Sequence, residues 1–219
     1  MFVAGRYRAP GRQQSIAVER RQINSRDLFW AHVTTFGALW GALEITLGSF
    51  LHALRVPFGG VLLAAMGAAL LVAQRQLLPT RGASLATGFV AALCKSISPG
   101  GIILGPMMGI LTEAALVEVA LLPAPRSPVS AAAGGALCAL WSFGQKLFTQ
   151  YILYGSKLID LYLALLGKAR IWMKLSVAQG YWVLGTALGV VCLIGIAGSL
   201  VGYRMGRDAG RLLAESEAA

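Results

Sequence analysis

The strongest constraint on the fold is a run of about 27 almost entirely apolar residues from Leu28 to Leu54. As a helix rising 1.5 Å per residue it would measure roughly 40 Å, which exceeds the bilayer core of about 30 Å. One carboxyl group, that of Glu44, interrupts the run. An ionisable group at that depth is costly and usually faces protein or a water-filled cavity. The run therefore predicts a membrane-spanning helix with a polar interior face.

The same run carries small residues at helical spacing. Gly37, Ala38, Gly41 and Ala42 form overlapping pairs four residues apart, and such pairs let another helix approach closely. At about 100° per residue, Ala38 and Ala42 share one stripe, and Glu44 lies on another stripe about 120° away. One helix would then offer both a docking face and a polar face. The alternative explanation is that small residues are simply common in membrane helices.

Composition places the whole chain in a membrane. It is 57% hydrophobic and 13% charged, whereas a soluble domain carries about 25% charged residues. The net charge of +10 does not indicate a nucleic-acid partner, because the basic residues lie mostly in tails and short loops, as membrane topology requires. Cys94, Cys138 and Cys192 lie inside apolar segments without CxxC spacing, so they are expected to be core residues.

Proline, glycine and charged residues divide the chain into six apolar segments. These predict an all-α integral membrane protein whose spans cover residues 28–54, 58–78, 83–97, 102–122, 129–151 and 180–203. With the N-terminus inside, 12 Lys and Arg residues fall on the inner side and 7 on the outer side. The positive-inside rule therefore favours two cytoplasmic termini and a multi-pass protein of the cell (inner) membrane.

This topology gives one domain with two tails. Residues 1–27 form a basic cytoplasmic tail, residues 28–205 the transmembrane domain, and residues 206–219 a second cytoplasmic tail. Residues 152–178 mix basic and apolar side chains. They are expected to include an interfacial helical segment before the last span, although a prolonged fifth helix or a half-span also fits the pattern.

Several polar residues fall toward the outer membrane face in this topology, beside two buried carboxyl groups. The candidate ligand-binding residues are Glu44, Lys95, Ser98, Glu113, Lys146 and Gln150. The glycine-rich outer turns would let backbone N–H groups approach a ligand. The carboxylates can bind a cation, a hydrogen-bond donor of a ligand, or the two lysines, and the lysines can instead reach the interface. Glu118 lies closer to the inner face and is expected to pair with Arg75, Arg81 or Arg126.

No pattern in the chain indicates catalysis. The sequence contains no HExxH, no GxSxG and no GxxxxGK[ST] phosphate-binding loop. His32 and His52 would lie about 30 Å apart on a straight helix and could not share a metal ion. We therefore expect no catalytic residues, no metal and no cofactor, and any energy for transport would come from other subunits.

The chain resembles the substrate-binding membrane subunit, or S component, of energy-coupling-factor (ECF) vitamin transporters. The resemblance covers residues 28–205 and rests on six short spans, cytosolic termini and Gly/Pro-rich outer turns. It also rests on the AxxxA pattern Ala38-Leu39-Trp40-Gly41-Ala42 and on Gly105-Pro106 followed by Glu113. Two features depart from the family. Residues 152–178 are long for a loop, and the chain begins Met1-Phe2 rather than Met-His, so cobalt or nickel uptake is not expected.

The resemblance implies a function in nutrient uptake. In that family the AxxxA stripe docks on a transmembrane coupling subunit that binds two cytosolic ATPases, which would assign docking to Ala38 and Ala42. The ligand, a small vitamin or its precursor, binds at the outer side, which implicates by position Lys95, Ser98, Glu113, Lys146 and Gln150. The chain itself would not be an enzyme.

A second hypothesis comes from a different class of protein. Glycine-rich helices of this kind also occur in a small structural or assembly subunit of a larger membrane complex that transports no ligand. The buried charges would then pair structurally without forming an accessible pocket. A lipid-modifying enzyme is a third possibility, but it requires clustered catalytic groups that the sequence lacks. Convergence of Glu44, Lys95, Glu113 and Lys146 on one cavity would favour ligand capture.

Overall fold

The described part of the protein is entirely helical. The computed structural model describes residues 25–54, 58–97, 104–154 and 177–218. These residues form α1 (Ser25–Ala53), α2 (Gly59–Leu77), α3 (Ala83–Ser96), α4 (Leu104–Leu121), α5 (Pro128–Tyr154) and α6 (Val177–Ala218), with no strand among them. The all-α prediction is confirmed for these ranges. Most of the basic N-terminal tail and of the expected interfacial segment lies outside them.

The helix ends follow the punctuation of the sequence, with one exception. Pro79 and Gly82 separate α2 from α3, and α5 begins at Pro128, where a missing backbone N–H costs nothing. The exception is α6, which runs for 42 residues to Ala218. The sequence predicts that the last span ends near residue 203, because a charged tail follows from Arg204. Charged residues do not break a helix, and this stretch contains no proline.

Three helices in the described ranges are long and apolar enough to cross a membrane. They are α2 (Gly59–Leu77), α4 (Leu104–Leu121) and the segment Leu184–Ser216 of α6. Helix α3 is also apolar, but it has only 14 residues. These lengths and compositions are those of an integral membrane protein.

Helices α2 and α6 pack with their backbones in close contact. Gly198, Gly202 and Gly206 of α6 lie against Ala65, Ala69 and Ala73 of α2, and both series advance by four residues. A methyl group at Gly202 would overlap the carbonyl oxygen of Ala69. Two small-residue stripes at matching spacing allow this approach, which is how membrane helices gain van der Waals contact without a hydrophobic driving force.

A buried tryptophan joins the first three helices. The side chain of Trp40 in α1 is 1% exposed. Its indole atoms lie 2.8 Å from the position that a Cβ atom on Gly67 of α2 would occupy, and 3.6 Å from that of Gly88 in α3. Glycine at position 67 therefore creates the space for the ring. At Gly88 a Cβ atom would be in ordinary contact with the indole, and it would overlap the Cβ atom of Ala114 in α4 at 2.2 Å. The indole lies one helical turn before Glu44 and packs α1 against α2 and α3.

The small residues of α1 divide between two environments. Gly37 and Gly41 are buried against α3, where Cβ atoms would lie 2.6 Å from Val90 and 2.5 Å from Cys94. Ala38 and Ala42 are exposed. The predicted close approach of a helix is thus used by α3 at the glycines, and the alanine stripe remains on the surface.

Candidate functional site

A buried ion pair connects α1 to α3. The Nζ atom of Lys95 donates a hydrogen bond to the main-chain oxygen of Glu44 at 2.7 Å, and lies 3.9 Å from the Oε2 atom of that residue. Gly48 follows one turn later on α1, and a Cβ atom there would lie 3.4 Å from Nζ. At this distance a Cβ atom would be in ordinary contact with Nζ, so the ammonium group packs directly beside Gly48. Lys95 reaches the carboxylate from the end of α3 that also carries the predicted outer turn.

A second buried carboxyl group lies on α4. Glu113 is only 6% exposed. Within the described ranges, no hydrogen bond or ion pair joins its side chain to another residue. The Sγ atom of Cys138 donates to the main-chain oxygen of Glu113 at 3.4 Å and attaches this turn of α4 to α5. This contact fixes the backbone that carries the carboxyl group.

Gln145 joins α4 and α5 one turn from Glu113. Its Nε2 atom donates to the main-chain oxygen of Gly105 at 2.7 Å, and its amide oxygen lies 2.6 Å from the Cβ position of Gly109. Sequence reasoning passed over Gln145 as a site residue. The sequence signal for Gln145 was its position next to Lys146, near the end of the helix. In the structure this part of α5 faces the glycines of α4.

The structure brings two of the six predicted ligand-binding residues together. Glu44 of α1 and Lys95 of α3 form an ion pair, and Glu113 is buried on α4. Lys146 and Gln150 lie in the last turns of α5, but their side chains are outside the described part of the chain. Ser98 lies outside the described residues altogether. The convergence of Glu44, Lys95, Glu113 and Lys146 on one cavity remains a prediction.

An apolar cavity of about 470 Å³ lies elsewhere in the bundle. Most of its wall comes from the first half of α6, from Trp182 to Ile194, and Phe58 closes one side. Phe58 has a φ of 62°, which is costly for an aromatic residue, and its ring stacks on Phe143 at 6.2 Å. Sequence reasoning missed this cavity, because its lining side chains are almost all apolar and Phe58 is more than 100 positions away from the others. None of its lining residues in the described ranges is charged.

A separate polar network lies at the opposite end of the helices. The Glu118 carboxylate accepts hydrogen bonds from the backbone N–H groups of Gly82 at 2.7 Å and Ser84 at 3.0 Å. It also lies 3.6 Å from Nη2 of Arg75, a side chain that is 1% exposed. Gly82 has no side chain to cap α3, so Glu118 supplies the cap from α4. The predicted pairing of Glu118 with an arginine is confirmed, and its role is structural.

The exposed face of α1 forms a continuous stripe of small side chains. Thr34, Ala38, Ala42 and Thr46 are spaced by four residues, and all four are exposed. The hydroxyl of Thr34 donates to the oxygen of Trp30 and that of Thr46 to the oxygen of Ala42, each at 2.8 Å. The stripe is therefore smooth, and its polar groups are already satisfied within α1. We call these four residues the α1 stripe.

The described ranges contain no metal-binding cluster. No three or more His, Cys, Asp and Glu side chains there are arranged to hold a metal ion. The Nδ1 atom of His32 lies 3.0 Å from the main-chain oxygen of Leu28 within the same helix. Leu28 lies one helical turn before His32, so this contact is a local one within α1.

Similarity to known proteins does not assign a family to this chain. Comparisons with known protein families, with curated proteins and with solved structures found no match. The functional inference therefore depends on the two faces of α1, one carrying the buried charges and the other the α1 stripe.

Proposed function

We propose that this protein is the substrate-capture subunit of an ECF-type importer. It binds a small vitamin-like nutrient from outside the cell and docks through α1 on a transmembrane coupling subunit. Two cytosolic ATPase subunits attached to that partner hydrolyse ATP. All six helices cross the inner membrane in this proposal, and both termini lie in the cytoplasm.

The observation that carries the proposal is the surface position of the α1 stripe. Gly37 and Gly41 of α1 pack against α3, whereas Ala38 and Ala42 are exposed on the described part of the bundle. Small residues in a membrane helix allow a second helix to come close and gain packing contacts. An exposed stripe with internally satisfied hydroxyls suits docking of another membrane protein better than contact with lipid alone.

The second face of α1 supports the capture of a ligand. Glu44 is paired with Lys95 at 3.9 Å, and Glu113 is buried on α4. Buried charged groups within a membrane protein are costly, and they usually mark a substrate or ion pathway. Because both faces belong to one helix, occupation of the polar side and docking on the other can influence each other through the position of α1.

Co-purification with leucine variants tests the docking claim. The tagged protein is extracted from its own cells with mild detergent, and the retained subunits are identified by mass spectrometry. We expect a coupling subunit and ATPases with the wild type, and a loss of at least tenfold with Ala42→Leu, because the larger side chain separates the helices. Ala133→Leu, at an exposed position of α5, is the matched control and should retain the partners. Equal recovery from Ala42→Leu and the control would exclude docking through the α1 stripe.

A structural assembly subunit is the second candidate, and one contact favours it. Lys95 and Glu44 satisfy each other within the bundle, as charges with a purely structural role would. In this case the extracted protein would carry a larger membrane complex without ATPases and without a bound small molecule. The same co-purification experiment therefore separates the two candidates.

A further inference from the structure

The apolar cavity beside α6 is long and narrow. Its wall follows α6 from Trp182 to Ile194, which is a length of about 18 Å at the rise of an α-helix. A volume of about 470 Å³ over that length gives a mean cross-section of about 26 Å², or a width of about 5 Å. Because carbon atoms in contact lie about 3.5–4.0 Å apart, a space of this width accommodates one extended hydrocarbon chain.

The polarity of the wall also suits a hydrocarbon. Among the described lining residues, only Trp182 and Thr186 carry a polar side-chain atom. The Thr186 hydroxyl already donates a hydrogen bond to the main-chain oxygen of Trp182 at 2.8 Å. Sites for polar small molecules include a few placed polar groups that fix the orientation of the ligand. Between Thr186 and Ile194 the described wall offers no such group to an occupant.

The position of the cavity on α6 gives it access to the bilayer. Segment Leu184–Ser216 is apolar enough to cross a membrane. Val191 in the cavity wall is 1% exposed and the neighbouring Val190 is 50% exposed, so the cavity has a buried floor and an open side. Trp182 at one end is an exposed tryptophan, a residue enriched at membrane–water interfaces. From that level a length of about 18 Å covers the hydrocarbon of one leaflet, which is about half of a 30 Å core.

The start of α6 complements a phosphate group. This helix begins at Val177, five residues before Trp182, and it has no acidic residue in its first turn. The first N–H groups of a helix lack intrahelical partners and carry a partial positive charge, which favours an anion. A phosphate attached to a chain in the cavity would therefore lie beside a favourable helix end.

We propose that this cavity binds one acyl chain of a phospholipid from the surrounding bilayer, with the lipid phosphate at the start of α6. Phe58 contributes the wall that does not belong to α6, and its ring stacks on Phe143. Its φ of 62° is a costly conformation that persists only where the surrounding structure maintains it. The site is separate from Glu44 and Lys95, and it does not depend on the proposed transport function.

Photochemical labelling tests the proposal. The purified full-length protein is placed in phosphatidylcholine nanodiscs that contain phosphatidylglycerol with a diazirine in the middle of one acyl chain. After illumination, peptide mapping locates the labelled residues. We expect residues 182–194 to be labelled at least fivefold more than the equally apolar, exposed face of α3 at Leu85 and Phe89. Diacylglycerol with the same diazirine chain should label residues 182–194 less, because it has no phosphate for the start of α6.

Two tryptophan variants assign the labelling to the cavity. Val190→Trp fills the cavity and should reduce labelling of residues 182–194 at least fivefold. Leu193→Trp is the matched control, because Leu193 is exposed on the same helix but does not line the cavity, and it should label as the wild type. Both changes add one large side chain at an exposed position, so a general loss of folding would affect both.

Four results would overturn the proposal. Equal labelling of α6 and α3 would show contact with bulk lipid only, and labelling that survives Val190→Trp would place the lipid elsewhere. Cross-links from the cavity to residues 155–176 or to a second copy of the chain, in place of lipid adducts, would identify a different occupant. Equal labelling by phosphatidylglycerol and diacylglycerol would overturn the assignment of the phosphate to the start of α6.

Discussion

Glu118→Ala should destabilise the bundle by about 3 kcal/mol, because this carboxylate holds the start of α3 and neutralises a buried arginine. Removing one partner of a buried ion pair typically costs about 3–5 kcal/mol, since the other charge is left uncompensated. Arg75 also donates to the main-chain oxygen of Thr80, so it would not be wholly unpaired, and the lower end of that range applies. Glu118 also accepts hydrogen bonds from two backbone N–H groups, which form a helix cap worth about 1 kcal/mol. The loss of this cap is part of the expected destabilisation and is not added to it.

A double-mutant cycle separates the cap from the charge. Arg75→Met combined with Glu118→Ala removes the uncompensated cation, so the double variant should lose only about 1–2 kcal/mol, which is mostly the cost of the cap. Stability is measured by reversible unfolding in mixed detergent, with retained helicity as the readout. A Glu118→Ala variant within about 1 kcal/mol of the wild type would refute the reasoning. So would a double variant whose loss equals the sum of the single losses.

Glycine substitutions provide four further predictions, each with a direct measurement. Gly202→Ala should lower stability by about 1–3 kcal/mol in the same unfolding assay, because a methyl group would overlap the α2 main chain. Gly189→Ala, in open space on the same helix, should raise it by roughly 0.5–1 kcal/mol. Gly82→Ala should cost about 1–2 kcal/mol without any steric contact, because position 82 has a φ of 83°. Gly48→Leu should expel the Lys95 ammonium from its site, and peptide mapping after acylation should show faster modification of that lysine than in the wild type.

The helices were predictable from sequence because apolar length and backbone-breaking residues are local properties. The end of α2 before Pro79 and the start of α5 at Pro128 follow directly from the chemistry of proline. The extension of α6 to Ala218 was not predicted, since clustered arginines were read as a tail. In the structure Gly206 of this extension packs against Ala73 of α2, a contact that no local pattern displays.

The arrangement of the site was only partly predictable. Glu44 and Lys95 were recognised as unusual buried charges, but their pairing joins residues that are 51 positions apart. It depends on how α1 lies along α3, which the packing of Gly37 and Gly41 determines. The sequence could not separate these glycines, which contact α3, from Ala38 and Ala42, which remain exposed, because neighbouring residues on a helix differ by only about 100° in direction.

The unusual backbone of Phe58 was also beyond sequence reasoning. Glycine is the residue that most readily adopts positive φ, and two glycines, Gly59 and Gly60, follow Phe58 directly. The structure instead places Phe58 there and starts α2 at Gly59. Stacking of its ring on Phe143 offsets part of the backbone cost. That compensation arises between two different helices and has no local signature.

Native mass spectrometry of the wild-type protein, gently extracted from its own cells, tests the central claim most directly. The account predicts a complex with a coupling subunit and two ATPases, and a retained small molecule. The small molecule should be lost in Glu113→Gln, and the ATPases should be lost in Ala42→Leu. A stable larger membrane complex with neither ATPases nor a bound small molecule would contradict the account and establish the assembly subunit in its place.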